Sequence, residues 1–157
     1  MQLKFLSTCG VSIGIAGLWL LLFAATAYAG PVTDVTFPSN VPRQPSEPPL
    51  QVKAKLFLPD NAKAPMPAMI ILTSSAGVKG EREIYYARQL ARVGIAALVV
   101  DSFATRGLTK GDTTVLSAVP LENDAVAAFR WLLADGRFKP DRIGVMGVSK
   151  GGVAAMN

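Results

Sequence analysis

The chain has 157 residues, half of them hydrophobic, and carries a formal net charge of +5 with an isoelectric point near 9.6. It contains no histidine and a single cysteine, Cys9, which excludes an intrachain disulfide and removes the usual zinc ligands, so no metal and no cofactor is expected. The basic excess is spread along the chain rather than clustered, which argues for a solvated surface and against a nucleic-acid partner.

Lys4 precedes an apolar stretch from Val11 to Phe23, and Ala27-Tyr28-Ala29 follows it. This is the charged, apolar and small-residue order of a secretory signal peptide, with cleavage before Gly30. Residues 1–29 are therefore expected to direct export to the periplasm or medium, leaving no stable membrane association once removed. An uncleaved anchor is the alternative, because apolar residues run almost unbroken to Ala29. The apolar region proper is nevertheless short for a span of about 20 residues. Cys9 leaves with this segment, and it precedes the apolar run rather than following it, which speaks against a lipid-modified cysteine.

Residues 30–49 carry six of the 11 prolines and read as extended linker, with room for a short first strand at Val35-Thr36-Phe37. From Leu50 to Leu58 the pattern alternates. Leu50, Val52, Ala54, Leu56 and Leu58 share one face, with Gln51, Lys53 and Lys55 on the other, as in a half-buried strand. Ala68 to Leu72, Ile95 to Val100 and Ile143 to Met146 are short, continuous apolar runs suited to parallel strands buried on both faces.

Two helices are predicted between these strands. Glu83 to Val93 places Tyr86, Ala87, Leu90 and Val93 on one stripe, with Gly94 at the position of a C-terminal cap. Asp124 to Ala134 does the same with Val126, Phe129, Leu132 and Leu133, ending near Gly136. Strand alternating with helix implies an open, mostly parallel sheet with flanking helices, wound by right-handed crossovers. Ligands of such sheets sit beyond the carboxyl ends of the strands.

The chemistry is carried by Gly147-Val148-Ser149-Lys150-Gly151, which matches the G-x-S-x-G nucleophile elbow. Gly10-Val11-Ser12-Ile13-Gly14 matches the same pattern inside the apolar N-terminal run, so context must choose. Only Ser149 lies between an apolar strand, Ile143 to Met146, and the opening of a helix, Gly152 to Met156. A phosphate-binding loop is excluded because Ser149-Lys150-Gly151 runs in the wrong order, and the glycines at 144, 147 and 151 have the wrong spacing for a dinucleotide fingerprint. Ser149 is the expected nucleophile. The backbone N–H of Lys150 would form one half of an oxyanion hole, with its side chain in solvent. The other half is expected from the loop after the third strand: Ser75 first, Ala76 second. The alternative for Ser74 and Ser75 is that they cap the following helix. Tyr85 and Tyr86 read as helix packing.

The stretch from Val35-Thr36-Phe37 to Gly152 resembles the dienelactone hydrolase family of α/β-hydrolases. The likeness rests on Ala68-Met69-Ile70-Ile71-Leu72, Tyr86-Ala87-Arg88-Gln89-Leu90, Val99-Val100-Asp101-Ser102-Phe103-Ala104-Thr105-Arg106-Gly107 and Ile143 to Gly152. It covers nearly all of the chain after residue 29 but only about the first half of a complete family domain. Residues 50–157 are thus expected to be the N-terminal part of an α/β-hydrolase domain, truncated after the nucleophile elbow. The namesake enzymes use cysteine where Ser149 stands, so the likeness is to the serine branch. Relatives often read His-Gly-Ser-x-Gly where this chain has Thr73-Ser74-Ser75-Ala76-Gly77. The resemblance implies that the triad acid and histidine follow Ser149, in the order Ser…Asp…His. Asp101 is then not the triad acid; it is expected to bond its own loop or pair with Arg106.

The expected function is an exported serine hydrolase of carboxylic esters or lactones, with a small-molecule substrate, these 157 residues being inactive alone. A prolyl-oligopeptidase-type peptidase and a non-catalytic exported half-fold that binds a ligand are the alternatives.

Overall fold

Leu56 and Phe57 point to opposite faces of one strand, yet both are buried, so the sheet they belong to is covered on both sides. The computed structural model describes residues 30–40, 48–108 and 116–157. The expected signal peptide, the decoy Ser12 and residues 41–47 of the linker lie outside them. Five strands form a single sheet in the order β1-β2-β4-β3-β5. They are β1 (Val32–Pro38), β2 (Gln51–Phe57), β3 (Met66–Leu72), β4 (Ala96–Asp101) and β5 (Phe138–Gly147). β3 pairs in parallel with β4 and β5, while β2 runs antiparallel to both β1 and β4. The helices are α1 (Tyr85–Arg92), α2 (Ser102–Thr105), α3 (Val119–Ala134) and α4 (Lys150–Met156), with a π-helical turn at Gly80–Ile84 leading into α1.

The alternation expected along β2 is present: Val52, Ala54 and Leu56 are buried and Gln51, Lys53 and Lys55 exposed. β1 is longer than the three residues predicted and pairs along its whole length, from Val32 opposite Phe57 to Pro38 opposite Gln51. Its buried Phe37 stacks on Trp131 of α3, ring centroids 5.8 Å apart, which ties the first strand to the helical layer.

One face of the sheet packs Leu56, Ile70, Leu72, Leu98 and Val100 with Leu121 and Leu132 of α3 and Ala154 of α4. The other packs Phe57, Ile71, Ala97 and Val99 with Ala87 and Ala91 of α1. The architecture is a three-layer α/β/α sandwich, the layering of an α/β-hydrolase.

Both predicted stripes hold in part: Ala87 and Leu90 of α1 and Leu132 of α3 face the core, but the rest of each stripe is turned away from it. On α1 the buried residues are Ala87 and Ala91, whereas Tyr85, Tyr86 and Val93 are exposed. The two tyrosines meet edge to face, 5.4 Å between centroids, rather than packing into the core. Two alanines one turn apart let the helix axis lie close to the sheet, so the larger side chains turn outward. Gly94 caps the helix as predicted: its φ is +85°, and Gly94 N–H and Ile95 N–H donate to the Ala91 and Leu90 carbonyls. α3 starts five residues earlier than expected, with Pro120 in its first turn. Its buried face is Leu121, Asp124, Ala127, Ala128 and Leu132, while Val126, Phe129 and Leu133 are exposed. A carboxylate sits in that face because Arg106 binds Asp124 through two hydrogen bonds of 2.7 and 3.1 Å.

Candidate active site

β5 delivers the elbow. Its parallel pairing with β3 runs to Gly147 opposite Leu72, and Val148 N–H still donates to the Leu72 carbonyl at 3.3 Å. The next residue, Ser149, has φ 53° and ψ −117°, the one non-glycine positive φ among the described residues, and α4 begins at Lys150. Such a backbone costs of order 1–3 kcal/mol and is held only where its surroundings fix it. The surroundings here are main chain. A Cβ on Gly147 would stand 2.2 Å from the carbonyl carbon and oxygen of Gly151, and one on Gly151 would stand 2.6 Å from the Leu72 and Thr73 carbonyl oxygens. Only glycine at both positions lets α4 start directly against the end of β3. Ser149 is left exposed at the carboxyl end of the parallel strands.

The loop after β3 lies at that same end. The buried Ser74 accepts from Ala76 N–H at 3.1 Å and from Arg82 Nη2 at 2.7 Å through its hydroxyl. Gly77 N–H closes a turn onto the Ser74 carbonyl at 3.0 Å. Ala76 N–H is therefore engaged, and Ser75 N–H donates to nothing among the described residues. Ser74 and Ser75 do not cap the next helical segment, whose first residue, Gly80, follows Lys79 with no side-chain cap on that residue. Thr73 Oγ1 is buried without a hydrogen-bond partner among the described residues.

The structure thus brings Ser149, the first residue of α4 (Lys150) and the loop holding Ser75 to one end of β3 and β5. The Lys150 side chain departs from expectation: its Nζ donates to the Leu116 carbonyl instead of standing in solvent. Asp101 is occupied with its own loop, accepting from Ala104 N–H at 2.9 Å as the cap of α2. Arg106 pairs with Asp124 rather than with Asp101.

Sequence reasoning missed two buried ion pairs, Arg106–Asp124 and Arg82–Glu83. Both acids lie on helical segments where apolar periodicity draws the eye past them. No group of three His, Cys, Asp or Glu side chains comes together among the described residues.

Solved structures with this fold include a bacterial heroin esterase, with 22% identity over 84% of this chain and 39% of that one and a TM-score of 0.62. Est1E from Butyrivibrio proteoclasticus follows with 20% identity over 78% and 43% and a TM-score of 0.59. A dienelactone hydrolase-like promiscuous phosphotriesterase from metagenomic libraries has 17% identity over 81% and 53% and a TM-score of 0.56. The chain spans about half the length, or less, of each. A comparison with curated proteins found no match. The dienelactone hydrolase likeness read from the sequence returns here as likeness of fold, and the family model for X-Pro dipeptidyl-peptidases (S15 family) matches residues 50–157. With that match lying over the sheet and elbow just described, the chain belongs to the X-Pro dipeptidyl-peptidase (S15) family of α/β-hydrolases.

Proposed function

We propose that these residues are the nucleophile-bearing part of a longer, exported serine hydrolase acting on carboxylic esters or lactones. The observation that carries the reading is the backbone of Ser149, φ 53° and ψ −117° between β5 and α4, pinned by Gly147 and Gly151. In the proposed reaction Ser149 Oγ adds to the substrate carbonyl, and its proton passes to a histidine outside these 157 residues, which contain none. The carbonyl π pair moves onto oxygen, and that oxyanion accepts hydrogen bonds from the backbone N–H groups of Lys150 and Ser75. Collapse of the tetrahedral intermediate expels the alcohol, protonated by the imidazolium, and water releases the acid by the same steps in reverse order.

Export rests on the N-terminal pattern of Lys4, the apolar run and Ala27-Tyr28-Ala29. Esters are placed first because the solved neighbours named above include esterases. A second reading, peptide hydrolysis, is favoured by the family match over residues 50–157. The full-length protein with a fluorophosphonate probe, a p-nitrophenyl ester and an X-Pro anilide tests both. Covalent label on Ser149, lost with hydrolysis in Ser149→Ala, is expected, with the ester turned over faster. Label persisting in Ser149→Ala overturns the nucleophile assignment, and preference for the anilide moves the assignment to the peptidase.

A further inference from the structure

Glu83 is a fully buried carboxylate on the π-helical turn before α1, and through Arg82 it is linked to the loop after β3. Its Oε2 accepts from Lys79 N–H at 2.9 Å and its Oε1 from Arg82 Nε at 2.7 Å. The same guanidinium then reaches back with Nη2 to the Ser74 hydroxyl at 2.7 Å and to the Gly77 carbonyl at 3.2 Å. Ser74 passes the constraint on by accepting from Ala76 N–H. Arg82 therefore grips both ends of the turn from Ser74 to Gly77, and Glu83 fixes the plane of the guanidinium. A planar fork can hold three acceptors in set directions at once, which a lysine ammonium on a flexible stem cannot.

We propose that Arg82, oriented by Glu83, is a positioning residue that clamps the Ser74–Gly77 turn so that Ser75 N–H, and not Ala76 N–H, faces the oxyanion. This rests on the hydrolase reading above. Two observations select Ser75: the Ser74 hydroxyl already takes the Ala76 donor, and Ser75 N–H donates to nothing among the described residues. The Ser74 hydroxyl gives Arg82 a second acceptor in the turn beside the Gly77 carbonyl, and is the acceptor that also holds Ala76 N–H. Such a device acts on a donor used as charge develops on the carbonyl oxygen, so its loss should lower kcat and leave KM in place.

The test uses the full-length protein and its variants Arg82→Lys, Ser74→Ala and Ser74→Thr. Removing Arg82 leaves a buried carboxylate short of a partner and can unfold the chain, whereas Ser74→Ala spares the ion pair. Two quantities are read: kcat and KM for a p-nitrophenyl ester, and amide hydrogen exchange at Ala76. Ser74→Ala is expected to speed exchange at Ala76 by about tenfold and to lower kcat by about ten- to a hundredfold, with KM within about twofold. Arg82→Lys should move both readouts the same way, and Ser74→Thr, which keeps the hydroxyl, should recover most of each. Unchanged exchange in Ser74→Ala, or faster exchange with kcat unchanged, overturns the proposal. If the wild type neither hydrolyses ester nor takes a fluorophosphonate, the hydrolase reading fails and with it the catalytic sense of the clamp. The exchange data then still decide whether Arg82 and Ser74 hold the turn.

Discussion

A graded set of glycine-to-alanine changes in the full-length protein measures how tightly the elbow is built. At Gly151 the added Cβ would lie 2.6 Å from the Leu72 and Thr73 carbonyl oxygens and 2.7 Å from the Leu72 carbonyl carbon, where ordinary contact begins at 3.4 Å. Either α4 or the end of β3 must therefore retreat by roughly 0.8 Å, and Leu72 is itself a buried member of the sheet core. Overpacking of this kind costs about 1–3 kcal/mol. Main-chain atoms cannot turn away as a side chain can, so the upper end, about 3 kcal/mol, is expected. The same displacement moves Ser149 and Lys150 N–H by a good part of an ångström, which should slow acylation by about a hundredfold. Gly144→Ala is an internal comparison, because its Cβ meets only the thioether end of Met69, at 3.1 and 3.2 Å. That chain can swing aside, so a loss of about 1 kcal/mol with normal chemistry is expected. Gly136→Ala, with nothing within 4 Å, should stay within about 1 kcal/mol of wild type. Denaturant midpoints and the rate of fluorophosphonate labelling at Ser149 read the two effects separately. A Gly151→Ala protein with wild-type midpoint and labelling rate would refute the reasoning.

The segment 30–157 expressed alone should bind a hydrophobic dye, show no cooperative melt and lack esterase activity. Val126, Phe129, Leu133 and Val145 are 38–45% exposed around the open edge of β5, and covering them would add about 2.5–5 kcal/mol to a net stability of typically about 5–15 kcal/mol. A sharp melt would support the half-fold reading instead. Arg106→Met should destabilise the full-length protein by about 3–5 kcal/mol by stranding the buried Asp124 carboxylate, and the double variant with Asp124→Leu should recover most of it by denaturant titration; equal losses in both would show the pair is not the cause. Protein recovered from the periplasm or medium should have an intact mass beginning at Gly30, and a membrane-bound species retaining Met1 would establish the anchor instead.

β2, β3 and β4 were legible because their signals are short-range, whereas β5, expected to be buried on both faces, is an edge strand starting at Phe138 with Val145 43% exposed. An alternating run at Val52, Ala54 and Leu56 and unbroken apolar runs at Ile70 and Val99 leave little choice of face. The elbow was legible because two glycines, a strand and a helix had to coincide around Ser149. Helix phase was not. Hydrophobicity ranks Tyr86 and Phe129 above Ala87 and Ala128, but small residues set much of the distance between helix and sheet, and Tyr86 and Phe129 were left outside. The fully buried Asp124 was equally opaque, since Arg106 lies 18 residues away and only the folded chain brings it there; Glu83 has its arginine next door at Arg82, but nothing in the sequence marks the carboxylate as buried. Sequence could order Ser75 ahead of Ala76 but could not reveal that the Ser74 hydroxyl occupies the second donor.

The posture of Ser149 also sets fold and activity against each other under selection. With φ 53° and ψ −117° the position suits glycine better than any residue that carries a Cβ. Ser149→Gly would relieve strain of order 1 kcal/mol or more while deleting the nucleophile. A lineage screened for yield or heat tolerance alone would drift toward glycine at 149, whereas one that must turn over substrate has to keep the strained serine and recover the difference elsewhere in the chain.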